Sequence, residues 1–60
     1  MHILIAEDQQ MARLVLATHL RSWGHMVTET QDGAEALEYI TRSNYNIDML
    51  ITDWSMPSID

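Results

Sequence analysis

His2-Ile3-Leu4-Ile5-Ala6 runs directly into Glu7-Asp8, and this junction decides how the rest of the chain reads. A short apolar run ended by charge predicts a strand buried on both faces, as in a parallel sheet covered by helices. Residues 10–23 then carry helix-forming types, with Ala12, Leu16, Leu20 and Trp23 spaced to form one apolar stripe. Asp8 or Gln9 is placed to cap the start of that helix, and Gly24 stands where a C-terminal cap glycine belongs. Residues 25–30 predict a second strand, more polar and therefore nearer a sheet edge. Asp32-Gly33 marks a turn, and residues 34–42 predict a second helix with Ala36, Leu37 and Ile40 facing inward. Asn44-Tyr45-Asn46 breaks it. Residues 47–52 predict a third strand with Asp53 at its C-terminal end and Trp54-Ser55-Met56-Pro57 as the loop beyond.

Strand, helix, strand, helix, strand with short connections implies α/β architecture, right-handed crossovers and a parallel sheet. No repeat, linker or low-complexity stretch divides residues 1–60, so they read as part of a single domain. If strand one lies between strands two and three, the helices cover opposite faces. The carboxylates after strands one and three then meet at the topological switch point, where open α/β sheets bind ligands.

Composition narrows the function classes. Nine acids against three arginines (Arg13, Arg21 and Arg42) give a net charge of −6, the wrong sign for a nucleic-acid binder. The N-terminus has neither the basic flank nor the apolar length of a signal peptide, and no apolar run approaches membrane-spanning length. A cytoplasmic protein without membrane contact is the expectation. Hydrophobic residues make up 47% of the chain, too many for a disordered tail. There is no cysteine to supply a disulfide or a thiolate metal site.

The chemistry lies in the acids. Glu7, Asp8 and Asp53 all fall at the C-terminal ends of neighbouring predicted strands. Three carboxylates in one crevice repel one another unless a cation is present. Hard oxygen ligands with no histidine or cysteine nearby point to Mg²⁺. A carboxylate also serves as a phosphoryl acceptor, forming an acyl phosphate, and phosphoryl transfer asks mainly for positioning and charge neutralisation. Taken singly, an acidic pair after a strand is an ordinary helix cap and a strand-end Asp an ordinary turn former. The joint arrangement favours chemistry. His2, His19 and His25 show no ligand-pair spacing and read as surface or structural residues. The five methionines read as core filler, and Trp23 as core. Trp54, next to Asp53, reads as flanking the crevice.

These residues carry a resemblance. Ile3-Leu4-Ile5-Ala6-Glu7-Asp8, then Arg13, Leu16, Leu20 and Gly24, then Asp32-Gly33-Ala34-Glu35-Ala36-Leu37, then residues 48–57 (Asp-Met-Leu-Ile-Thr-Asp-Trp-Ser-Met-Pro) are in register with receiver domains of two-component response regulators. The whole chain resembles the N-terminal half of that domain. The resemblance implies the βαβαβ half of a flavodoxin-like doubly wound parallel sheet, strand order 2-1-3, truncated. It implies that Asp53 accepts a phosphoryl group from the phosphohistidine of a sensor histidine kinase or phosphotransfer protein. Asp8 would bind Mg²⁺ directly, Glu7 mainly through water, and Ser55 through its backbone carbonyl. Glu7 stands where Asp is commoner in the family. No turnover enzyme is implied, only a phosphoacceptor that assists its own phosphorylation.

The family's domain continues through two more strands and three more helices. They carry a switch Thr or Ser and a phosphate-binding Lys, and this sequence has no lysine at all. Two other readings follow. One is an interaction or oligomerising module, because the third strand would leave an apolar sheet edge open to a second copy. The other is a fragment of an aspartyl-phosphate hydrolase of the haloacid dehalogenase type. That family carries Asp-x-Asp after its first strand, whereas Glu7-Asp8 are adjacent here.

Overall fold

The computed structural model describes residues 1–44 and 46–52. Five elements follow in order: β1 (His2–Ala6), α1 (Gln10–Ser22), β2 (Met26–Thr30), α2 (Gly33–Arg42) and β3 (Met49–Thr52). The strands form a parallel sheet in the order β2-β1-β3, as the sequence predicts. β1 is central because it is the most apolar strand: Ile3, Leu4, Ile5 and Ala6 are all buried. A strand with a neighbour on each side and a helix on each face has no polar face to offer.

Strand alternation divides that core into two layers. Ile3 and Ile5 pack with Ala17 and Leu20 of α1, flanked by Leu16, Val27 and Ile51. Leu4 and Ala6 meet Ala36 of α2, flanked by Tyr39, Ile40 and Ile47. The helices therefore cover opposite faces of the sheet.

Local chemistry sets the helix ends. Gly24 takes φ +90°, a region that strains L side chains, while its N–H donates to the Arg21 carbonyl at 3.0 Å. His25 N–H donates to the Leu20 carbonyl at 3.2 Å, completing a Schellman closure of α1. At the start of α2, the Asp32 carboxylate accepts from the Glu35 N–H at 2.8 Å. That bond satisfies an otherwise orphaned helix donor. Asn44, at φ 62°, turns the chain away from α2. Tyr45, in the same predicted break, lies outside the described residues.

Several expectations about the core are corrected. Trp23 is 68% exposed and Ala12 is exposed, so the predicted stripe does not hold over its full length. At about 100° per residue, Ala12 and Trp23 fall on the far side of Leu16 from Arg13 and Ala17, off the buried face. The inward face of α1 is instead carried by Arg13, Leu16, Ala17 and Leu20. Trp23 already lies at the helix C-cap and places its ring 6.3 Å from that of His19. Leu37 of α2 is 64% exposed, because the sheet surface on its side ends at β3. Met1, Met11, Met26 and Met49 are exposed rather than core filler, and Met56 lies outside the described residues. Asp8 does not cap α1; Gln9 is the N-cap and makes no side-chain cap bond.

Candidate functional site

All three strands point the same way, so their C-terminal ends share one edge of the sheet. The register there is Thr30–Ala6–Thr52, with Ala6 between the other two. Buried Thr30 fixes this edge by donating its hydroxyl to the Ile5 carbonyl at 2.6 Å. Glu7 N–H then donates to the Thr30 carbonyl at 3.1 Å, carrying the β1–β2 ladder past the end of the strand.

Glu7 and Asp8 leave the sheet at this point, as expected. Glu7 is half-buried, and one oxygen of its carboxylate accepts from Gln9 N–H at 3.0 Å. Asp8 is exposed, and no hydrogen bond or ion pair among the described residues engages its carboxylate. Asp53 follows Thr52 in sequence; it, Trp54, Ser55 and the Met56-Pro57 loop lie outside the described residues. Of the four predicted metal-site residues, the structure thus describes two, Glu7 and Asp8, side by side at the predicted edge. Among the described residues no group of three His, Cys, Asp or Glu comes together.

The donor set suits a hard cation. Mg²⁺ keeps several waters and takes one or two carboxylates, with phosphate oxygens completing its shell. Glu7 and Asp8 provide carboxylate oxygens at the C-terminal edge of the sheet.

A second layer of polar contacts stands behind this edge. One Arg13 guanidinium nitrogen donates to the Glu7 carbonyl at 2.8 Å. Arg13 Nε lies 3.7 Å from Glu29 Oε1, and Arg21 reaches the other Glu29 oxygen at 3.1 Å. Arg21 also donates to the Val27 carbonyl at 3.1 Å. In the sequence, Arg13 stands out only as part of a spacing pattern, and nothing there assigns a role to Glu29. The available signal was a charged residue on the apolar side of α1 and a lone acid within β2.

The histidines read as surface or structural residues, and the side chains of His2 and His19 have local hydrogen-bond contacts. His2 Nε2 is 2.8 Å from Thr28 Oγ1, which in turn donates to the Tyr39 hydroxyl at 3.3 Å. His19 Nδ1 is 2.9 Å from the Val15 carbonyl. His25 Nδ1 is buried without a hydrogen-bond partner. Beside the candidate site, α2 and β3 leave an apolar groove lined by Ala36, Leu37, Ile40 and Leu50. No described helix is long and apolar enough to cross a membrane.

Comparison with known proteins agrees with this architecture. Residues 3–60 match the family model for the response regulator receiver domain. The chain is 43% identical over 58 residues to Sensor protein EvgS of Escherichia coli (strain K12), covering 97% of this chain and 5% of that protein. It is 37% identical over 59 residues to the Probable transcriptional regulator ycf27 of Cyanidium caldarium, covering 98% of this chain and 23% of that protein. A Chemotaxis protein CheY homolog of Campylobacter jejuni (serotype O:2) is 34% identical over 61 residues, which is 100% of this chain and 46% of that protein. The chain therefore spans less than half the length of each of these relatives. No solved structure matches. With the family's sequence model matched from residue 3 to residue 60 and the β2-β1-β3 sheet in place, the chain belongs to the response regulator receiver domain family.

Proposed function

We propose that this chain is the phosphoacceptor part of a receiver domain, taking a phosphoryl group on Asp53 from a phosphohistidine in a Mg²⁺-dependent reaction. Membership of the receiver family supports a role in two-component signalling. The observation that carries the finer reading is the Ala6–Thr52 register. It ends β1 and β3 at one edge, with Glu7-Asp8 next in sequence after one strand and Asp53 next after the other.

A carboxylate oxygen of Asp53 attacks phosphorus, the N–P bond of the donor phosphohistidine breaks, and the released imidazole takes up a proton. The product is an acyl phosphate. Asp8 and Glu7 would hold the cation, with Ser55 adding its backbone carbonyl. A Mg²⁺ held there would supply charge neutralisation between the acceptor and the incoming phosphoryl oxygens. The partner is a sensor histidine kinase or a phosphotransfer protein, and the chain is a signalling switch in the cytoplasm rather than a turnover enzyme. The receiver here forms part of one domain that extends beyond residues 1–60.

The test is the intact mass of the chain before and after incubation with a small acyl-phosphate donor and Mg²⁺. A single phosphoryl adduct, absent in Asp53→Asn, supports the reading. No adduct on this chain, alongside labelling of a longer receiver bearing the same residues, rejects phosphoacceptor activity for residues 1–60.

A second reading has its own observation. Leu37, Met49 and Leu50 are 64%, 44% and 46% exposed along the α2–β3 side, and β3 is a sheet edge. Unpaired apolar edges recruit other strands. On this reading the chain acts by docking or self-association, and sedimentation as a compact monomer at all concentrations would reject it.

A further inference from the structure

We infer that Arg13 is a positioning residue for the cation site, acting through the Glu7 carbonyl and anchored by Glu29. The inference deepens the Mg²⁺ reading above and rests on it. Both backbone groups of Glu7 are pinned: its N–H to the Thr30 carbonyl at 3.1 Å, and its C=O by Arg13 at 2.8 Å. The bonded C=O belongs to the Glu7–Asp8 peptide, which is planar. Fixing that plane fixes the direction in which Asp8 leaves β1. One residue further on, the Gln9 N–H is held by the Glu7 carboxylate at 3.0 Å. Asp8 thus sits between two tied residues while no partner among the described residues engages its own carboxylate. A ligand held by its backbone and left open at its side chain suits metal capture.

Arg13 can hold this plane because its own fork is held. Its side chain is only 18% exposed, and Nε lies 3.7 Å from Glu29 while another nitrogen reaches the Glu7 carbonyl. Arg21 shares Glu29 but has no bond to Glu7, which makes it an internal control. A guanidinium offers several donors in a rigid plane, whereas an ammonium is a single point. Arg13→Lys therefore restores one contact but not the bridge.

Charge and position predict opposite signs. Removing a positive charge near two carboxylates would, by Coulomb's law alone, tighten cation binding. Loss of positioning weakens it, by about tenfold as is usual for residues that orient metal ligands.

The experiment uses the full chain and two readouts: Mg²⁺ affinity by titration calorimetry, and amide hydrogen exchange without metal. Arg13→Gln should raise the Mg²⁺ dissociation constant by about tenfold, and Arg13→Lys by an intermediate factor. Arg21→Gln should change it by less than about twofold. Without metal, Arg13→Gln should speed exchange at the bonded Gln9 amide while Leu4 and Ile5 stay protected, which separates local loosening from unfolding. Unchanged exchange at Gln9 overturns the inference whatever the metal does. Faster exchange with unchanged or tighter Mg²⁺ binding overturns it too. If the unaltered chain takes up no Mg²⁺ although its Gln9 amide responds to Arg13→Gln, the cation reading has failed, and this inference falls with it.

Discussion

Leu4→Ala should remove most or all of the stability of this chain. Leu4 is 0% exposed at the centre of the sheet and packs with Ala6 and Ala36, flanked by Tyr39, Ile40 and Ile47. Truncating a buried leucine to alanine costs about 2–5 kcal/mol, the lost transfer energy plus the cavity left behind. Native chains are stable by about 0.05–0.15 kcal/mol per residue, which for this length is about 3–9 kcal/mol. One side chain therefore weighs against a large part of the total. Leu37→Ala deletes the same atoms from a residue that is 64% exposed and should cost less than about 0.5 kcal/mol. Urea titration followed by far-ultraviolet circular dichroism separates the two. With a slope near 1 kcal/mol per molar for so small a chain, Leu4→Ala should lower the midpoint by about 2 M or more. Leu37→Ala should leave it nearly unchanged. Equal midpoint shifts would refute the reasoning, because they would mean that the α2–β3 groove is covered as thoroughly as the face beneath α2.

Three further outcomes are expected. Asp32→Ala should cost about 1 kcal/mol in the same urea titration, since it strips the side-chain acceptor from the Glu35 N–H at the start of α2. Gly24→Ala should destabilise by about 1 kcal/mol although nothing lies within 4 Å of an added Cβ, because the cost is conformational at φ +90°. Chelation of divalent cations, or Asp8→Asn, should reduce acyl-phosphate labelling to the level of Asp53→Asn; labelling that survives both would remove the cation from the account.

The sheet was legible because β1 announces itself twice, by five residues without a charge and by the acidic pair that stops them. The polarity of β2 put it near an edge, and the order β2-β1-β3 came from the resemblance to receiver domains. Side-chain direction was less legible. Spacings of four, four and three gather Ala12, Leu16, Leu20 and Trp23 in sequence, but the buried face is centred towards Arg13 and Ala17, so only Leu16 and Leu20 of that row lie against Ile3 and Ile5. The hydrophobicity of Leu37 and Met49 says that they can be buried, and only the position of the last strand shows that they are not. As candidate ligands, Glu7 and Asp8 were singled out from residue type and position alone. The bridge from Glu29 through Arg13 to the Glu7 carbonyl was not, because its ends are 22 residues apart and meet only once β2 has paired with β1.

The most direct test of the central claim is to locate the phosphoryl group. After treatment with an acyl-phosphate donor and Mg²⁺, borohydride reduces a phosphoaspartate to homoserine, and peptide mass spectrometry assigns the converted residue. The account predicts conversion at Asp53, with Glu7 and Asp8 unmodified. Conversion at Asp8 or Glu7, or at a residue elsewhere with Asp53 untouched, would contradict it.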